Sequence, residues 1–494
     1  MIHKSISVVR KPLPLYKLLL FLACMIFTGC HDEATRPAVV VKGCTGCHSM
    51  KLDGNHKFSC SSCHRGDVNA GEKALAHTGL IAEPAHPEMM AKTCGSCHPN
   101  QVKEIPQSLH FTLKQEVNLV RRAFGANADL QSLTEIPVAE SPKDILGLAD
   151  DLLRRRCLRC HLYFKGDDYP AVTHGTGCAA CHLSFQDGKL ASHAFLAHPG
   201  DRQCLSCHYG NTVGFDYYGR FEHDLNEEYR TPYTTKQEQF RPYGVEYHEL
   251  AADIHQQRGL SCTDCHSGNE LMTNNPEIFR PSCAGCHDAE ELKKRLPKRV
   301  KVAGKGYIFL AGPEKKEHLL PLMAHPAHKT TSEKVSCQVC HAQWTFNDSG
   351  KHFLRSDSAD FEAWDRLITQ GSSEVSGILA NNTDPAREEL PAMMTDKILF
   401  KKQIGLWYKG FGVRRWETIL LGRDQDGVIT TVRPLLDYSL SWIDSEEQVH
   451  FDARASQASG NGVYPYTPHT TGKAGLFYMQ RLRDFRLSEK VQKD

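Results

Sequence analysis

Residues 174–182 read His174-Gly175-Thr176-Gly177-Cys178-Ala179-Ala180-Cys181-His182, and the closing Cys-x-x-Cys-His of that stretch decides how the chain is organised. The pentapeptide occurs nine times: Cys44-Cys47-His48, Cys60-Cys63-His64, Cys94-Cys97-His98, Cys157-Cys160-His161, Cys178-Cys181-His182, Cys204-Cys207-His208, Cys262-Cys265-His266, Cys283-Cys286-His287 and Cys337-Cys340-His341. These copies use 18 of the 20 Cys in 494 residues. At this Cys and His content chance would place on the order of 0.05 copies, so the repetition is built in. Working outward, the copies fall into three clusters of three, over 44–115, 157–220 and 262–352. Segments without a copy, 116–156 and 221–261, separate the clusters, and 353–494 carries none.

The spacing has a chemical reason. Two thiols three residues apart can add across the two vinyl groups of one haem, and the adjacent His is then held beneath the ring as proximal ligand to the iron. Zinc would need the Cys pairs coupled two by two, which nine copies fit poorly. A redox dithiol has no need of the His, and structural disulfides would not enforce the spacing. The expected cofactor is therefore haem c, nine copies, covalently held. Proximal ligation is expected from His48, His64, His98, His161, His182, His208, His266, His287 and His341.

Each iron has a second axial position, and the chain's 27 His exceed the nine that the motifs use. That surplus argues for bis-His ligation. A His recurs a few residues upstream of a motif: His56, His86, His174, His198 and His255. His110 follows His98 on an expected helix, and His325 and His328 precede Cys337. His77, His193, His248 and His352 are further candidates, whereas His469 is expected to stay off the irons. Met50, Met89, Met90, Met272 and Met323 are expected to pack in the core.

The N-terminus carries Lys4, Arg10, Lys11 and Lys17, an apolar run Leu18 to Phe27, and then Thr28-Gly29-Cys30. This reads as a lipoprotein signal peptide over 1–29, lipidation of Cys30 and a tether over 30–43. Phe27 stands where such signals usually have Leu. The expected destination is the outer membrane, facing periplasm or cell exterior. Removing 1–29 takes four positive charges from a chain of net charge +1, leaving roughly −3 before any haem propionate is counted. Lys+Arg (59) nearly balance Asp+Glu (58), and no basic face stands out, so nucleic acid is not an expected partner.

The expected fold is a mostly irregular and α-helical region built around covalent haems, followed by a small β-rich C-terminal domain over 353–494. Within the helical linker 116–156, Ser141-Pro142-Lys143-Asp144 predicts an N-cap, Pro at N1 and a capping acid before Leu146, Leu148, Leu152 and Leu153. Arg154-Arg155-Arg156 close that helix, where they suit its dipole or could pair with propionates. Near the C-terminus, 359–370 reads as an amphipathic helix. Trp416–Leu421 and Val428–Val432 flank Asp424-Gln425-Asp426-Gly427 as a hairpin, and Leu435–Ile443 and Val449–Asp452 read as further strands.

With the motifs in hand, the chain resembles the multihaem c-type cytochromes of the periplasmic and outer-membrane electron conduits of metal-respiring bacteria. The C-terminal segment, with Trp344 just after the ninth motif, is similar to cytochrome lipoproteins encoded with selenite/tellurite-reduction conduits. The resemblance implies electron transfer between periplasmic donors and an outer-membrane or extracellular acceptor. It also implies redox partner proteins, among them a porin-cytochrome conduit, and membrane association through the lipid. Its main competitor is a multihaem terminal reductase of the nitrite, hydroxylamine, tetrathionate or metalloid-oxyanion type, with one open-site haem. All nine motifs end in His, which favours the relay over the enzyme.

Overall fold

The computed structural model describes residues 43–208, 213–214, 216–222, 247–273, 281–331, 333–358, 360–364, 370–410, 413–417, 419–434, 437–455, 463–473 and 476–491. The signal segment, Cys30 and the tether up to residue 42 lie outside them, as does most of the 221–261 linker. Among the described residues no helix is long and apolar enough to cross a membrane.

The chain forms two compact units. In the small one, 43–49 and 65–80, the backbone closes through Asp67 N to Ala76 O at 3.0 Å. The large one holds the remaining described residues, and its motifs sit mostly on single helical turns, among them Ser61–His64, Cys178–His182 and Cys283–His287. Such turns are too short to be stable alone, so tertiary contacts must hold them.

The main core of the large unit joins the stretch before the fourth motif to the C-terminal region. Helices α1 (Lys114–Ala123), α2 (Ile145–Leu152) and α3 (Ser373–Asn382) pack there with a four-stranded sheet. Its strands are β1 (Lys351–Ser356), β2 (Leu406–Lys409), β3 (Tyr438–Ile443) and β4 (Val449–Arg454), in the order β2-β1-β3-β4. The β1–β3 pair is parallel and the outer pairs are antiparallel. Val117, Leu148, Leu152, Trp407 and Leu440 meet in its interior, all fully buried. The linker and the C-terminal sheet thus bury their apolar faces on each other.

Three local expectations differ from the structure. The helix near 141 starts later: Asp144 is its N-cap, accepting from Gly147 N at 2.7 Å, because a cap must sit three residues before the amide it satisfies. Within 359–370, residues 362–364 form a turn and 365–369 lie outside the described residues. The hairpin does form around Asp424, between Leu420–Arg423 and Ile429–Pro434. Trp416, however, belongs to the separate strand Val413–Glu417, which pairs with Thr345–Ser349.

After α2 the backbone widens into a π-turn, Leu153–Cys157, which turns Arg154, Arg155 and Arg156 inward. Arg154 donates to Asp396 at 2.6 Å and to Ile136 O at 2.7 Å. Arg155 donates to Asp151 at 2.5 Å and to the carbonyls of Ile404 and Gly405. Arg156 reaches Trp407 O at 3.1 Å. Protein oxygens therefore take up Arg154 and Arg155, rather than the propionates considered above. Asp151 also accepts from Trp407 Nε1 at 2.8 Å and lies 3.4 Å from Arg355, whose main carboxylate partner is Asp357 at 2.9 Å. Asp151→Ala is expected to cost about 3–5 kcal/mol by leaving the buried Arg155 guanidinium without a carboxylate. Glu290→Ala at the exposed pair with Lys293 should stay within about 0.5 kcal/mol. Chemical denaturation of both variants checks the contrast.

Candidate cofactor-binding site

A branched cavity of 5020 Å³ runs through the large unit. At least one Cys from each of eight motifs, from Cys63 to Cys340, lines it, with apolar neighbours such as Leu109, Leu205 and Phe346. Packed interiors contain few voids larger than a water molecule. Shared among eight motifs, the volume comes to about 600 Å³ each, within the size of a single cofactor pocket. The motif thiols therefore line a space far larger than side-chain packing leaves.

Six motif histidines face a second imidazole. The ring centroids are 6.1 Å apart for His48 and His77, in the small unit. In the large unit the separations are 6.3 Å for His98–His56, 5.8 Å for His64–His193 and 6.2 Å for His208–His110. They are 6.1 Å for His287–His255 and 6.3 Å for His341–His328. An iron bound to two imidazole nitrogens at about 2 Å each would put the centroids about 6.3 Å apart. Direct ring stacking would bring them closer. Interplanar angles run from 10° for His328–His341 to 84° for His110–His208, a spread that rotation about a shared axis accounts for.

At several motif and paired rings the other nitrogen is committed to an oxygen, as metal ligation favours, whereas Nδ1 of His193 and of His328 is buried without a hydrogen-bond partner. Nδ1 of His64 lies 2.8 Å from Ile81 O, His182 Nδ1 2.7 Å from Leu196 O, and His287 Nδ1 2.8 Å from Pro321 O. His341 Nδ1 lies 3.0 Å from Gly472 O, while His56 and His255 use the carboxylates of Asp53 and Asp253. An Nδ1–H donated to an oxygen leaves the Nε2 lone pair for a metal and fixes the ring's orientation. Burial pushes His208 down to about 4 and lowers His110 and His287, favouring in these three the neutral form that ligates. Among the described residues no three His, Cys, Asp or Glu side chains converge as a metal site by themselves. Paired imidazoles supply two ligands, which suits an iron whose other four come from a macrocycle.

Neighbouring motif thiols reveal a spatial order that differs from chain order. Cys94 lies against Cys178, Cys204 against Cys262, and Cys283 against Cys337. Cys63 neighbours Cys94, Cys181 neighbours Cys204, and Cys265 neighbours Cys286. Packing of helix Cys178–His182 on Asp201–His208, and of the latter on Cys262–Cys265, agrees with this. The second, third, fifth, sixth, seventh, eighth and ninth motifs thus form a line, and the fourth joins it from the side through Cys160 and Cys207.

The fourth motif departs from the rest in other ways. It follows the π-turn, and Cys157 packs on the main core beside Arg156 and Arg159. His161 is 2% exposed, its ring centroid 5.9 Å from Tyr163 and 6.2 Å from Phe164. Its Nδ1 accepts from Tyr163 N at 3.2 Å, and its Nε2 is buried without a hydrogen-bond partner. Burial pushes this ring down to about 3, and the nearby His174 imidazole lowers it further. The Nε2 of His174 is likewise buried and unpartnered.

His198 and His325 line the cavity, and His325 Nδ1 accepts from Ala327 N. His352 is taken out of the candidate set because its Nε2 bonds Ser441 Oγ at 2.8 Å on the sheet. His248 sits on the strand Tyr247–Glu249, paired with Arg220–Glu222. Met90 packs with Phe111, Leu162 and Ala180, as a core residue does. Two histidines escaped the spacing argument. His318 lines the cavity with a buried, unpartnered Nε2, and His469 lines it as well. Both lie where upstream spacing carries no signal, on a strand before the ninth motif and far beyond it. No protein-family profile, curated protein or solved structure matches this chain.

Proposed function

We propose that this chain is a nonahaem c-type cytochrome, lipid-anchored at Cys30, that relays single electrons between periplasmic donors and an outer-membrane or extracellular acceptor. The observation that carries the reading is the set of six motif histidines, each facing a second imidazole at 5.8–6.3 Å. Haem c, when bound, supplies a one-electron Fe(III)/Fe(II) couple whose potential follows axial ligands and burial. The motif thiols fix its edge, the paired Nε2 atoms hold both faces, and the Nδ1 bonds to carbonyls and carboxylates set ring orientation and basicity. Closing both faces leaves no position for a substrate, which suits a carrier.

Mass spectrometry of the mature protein should show nine haem additions and acylation at Cys30. Its oxidised spectrum should be low-spin, and the reduced protein should not bind CO at any paired site. A colourless protein, or extensive CO binding, would refute the relay. The departure at the fourth motif favours a second reading, in which that one site is open and enzymatic. That reading requires a single CO-binding haem that disappears in a Cys157→Ala/Cys160→Ala variant.

A further inference from the structure

One segment of the C-terminal region reaches two of the last paired sites. Gly472 O lies 3.0 Å from His341 Nδ1. Thr471 N donates to Asp253 Oδ2 at 2.6 Å, and the other oxygen of that carboxylate holds His255 Nδ1 at 2.8 Å. Thr471 O accepts from Ile254 N at 2.8 Å, and Thr471 bridges to Ala342. Thr470 is fully buried and donates to Trp344 O at 2.7 Å. The segment is thereby pinned on both sides, so the position of the residue before it is not free to drift.

That residue is His469. Its backbone N–H donates to buried Asp216 at 3.2 Å, and its Nδ1 lies 3.1 Å from Thr467 O. The tautomer this selects carries the lone pair on Nε2, as at the paired sites. His469 lines the same cavity as His266, and the two imidazoles are electrostatic neighbours. His266 is oriented in turn by Glu270, 3.2 Å from its Nδ1. The motif histidines on either side of it along the line, His208 and His287, already face His110 and His255. His110 and His255 are therefore committed elsewhere, and His469 is the imidazole brought to this site.

We propose that His469 is the sixth ligand of the iron carried by Cys262-Cys265-His266, so that the haem-free C-terminal region completes a haem site. This rests on the haem reading above and adds a ligand that motif spacing does not reveal. The test uses the full mature protein, with His469→Gly and His469→Met. Both variants should retain nine haems by mass. His469→Gly should convert one haem to high spin and bind one CO more than the parent when reduced, and added imidazole should restore the low-spin spectrum. His469→Met should remain six-coordinate, gain one thioether-to-iron charge-transfer band and raise one potential. His450→Gly, at an exposed ring paired with Asp444, should change none of these. The assignment is overturned if His469→Gly keeps nine haems with the parent's spin state and CO count, or if His469→Met gains no thioether band. A parent protein without haem would instead refute the functional reading.

Discussion

Removing the attachment point at Cys204 and Cys207 is expected to slow electron passage along the large unit by orders of magnitude, whereas removing the one at Cys157 and Cys160 should leave it nearly unchanged. Chain order makes the opposite suggestion, because the fourth motif stands between the third and fifth. The structure places Cys94 directly against Cys178, bypassing the fourth motif, and makes the sixth a junction that touches the fourth, fifth and seventh. A photoreductant on a Lys57→Cys variant and an acceptor complex on Lys329→Cys, both at exposed positions, would time arrival across this span. Mass spectrometry must first show eight haems in each variant. Equal slowing in the two would sink the side-branch arrangement.

The second large effect concerns the chain without its cofactors. Expressed without haem attachment, the large unit is expected to lose cooperative unfolding and resistance to protease. The apolar side chains lining the 5020 Å³ space would face water instead of a cofactor, removing the hydrophobic burial that holds the unit together. Beyond it the motif turns rest on small apolar clusters, such as Val339 with Val335, Ile429 and Leu482. The region around Trp407, Leu148 and Val117, which packs side chain on side chain, should retain the most residual order. Circular dichroism during denaturant titration would show this as a broad, shallow transition. A sharp transition in the haem-free chain would mean that the cavity closes at small cost and that the cofactors are not structural.

The nine motifs were legible in the amino-acid order because their pattern is local: two thiols and an imidazole lie within five residues whatever the rest of the chain does. The strands around Asp424 and at Tyr438–Ile443 were legible for a similar reason, since alternation and turn chemistry act over a few residues. The partner of each imidazole was not. His48 finds His77 and His64 finds His193, pairings that no spacing rule ranks above their rivals. His352 obeyed the composition argument and still went to Ser441, because β1 carries it into the sheet. Arg154 and Arg155 of the linker suited either a helix dipole or a propionate until the π-turn aimed them at buried oxygens.

The chain's own order determined the number and places of the Cys-x-x-Cys-His motifs and the imidazole that each offers, because those depend on covalent neighbours. Only the folded arrangement decided which second imidazole faces six of them, which motifs stand side by side, and that a segment near the C-terminus reaches His341 and Asp253. Those choices depend on through-space distances of a few ångströms between residues far apart in sequence, and the buried hydrogen bonds and apolar surface that set them are summed over the whole unit.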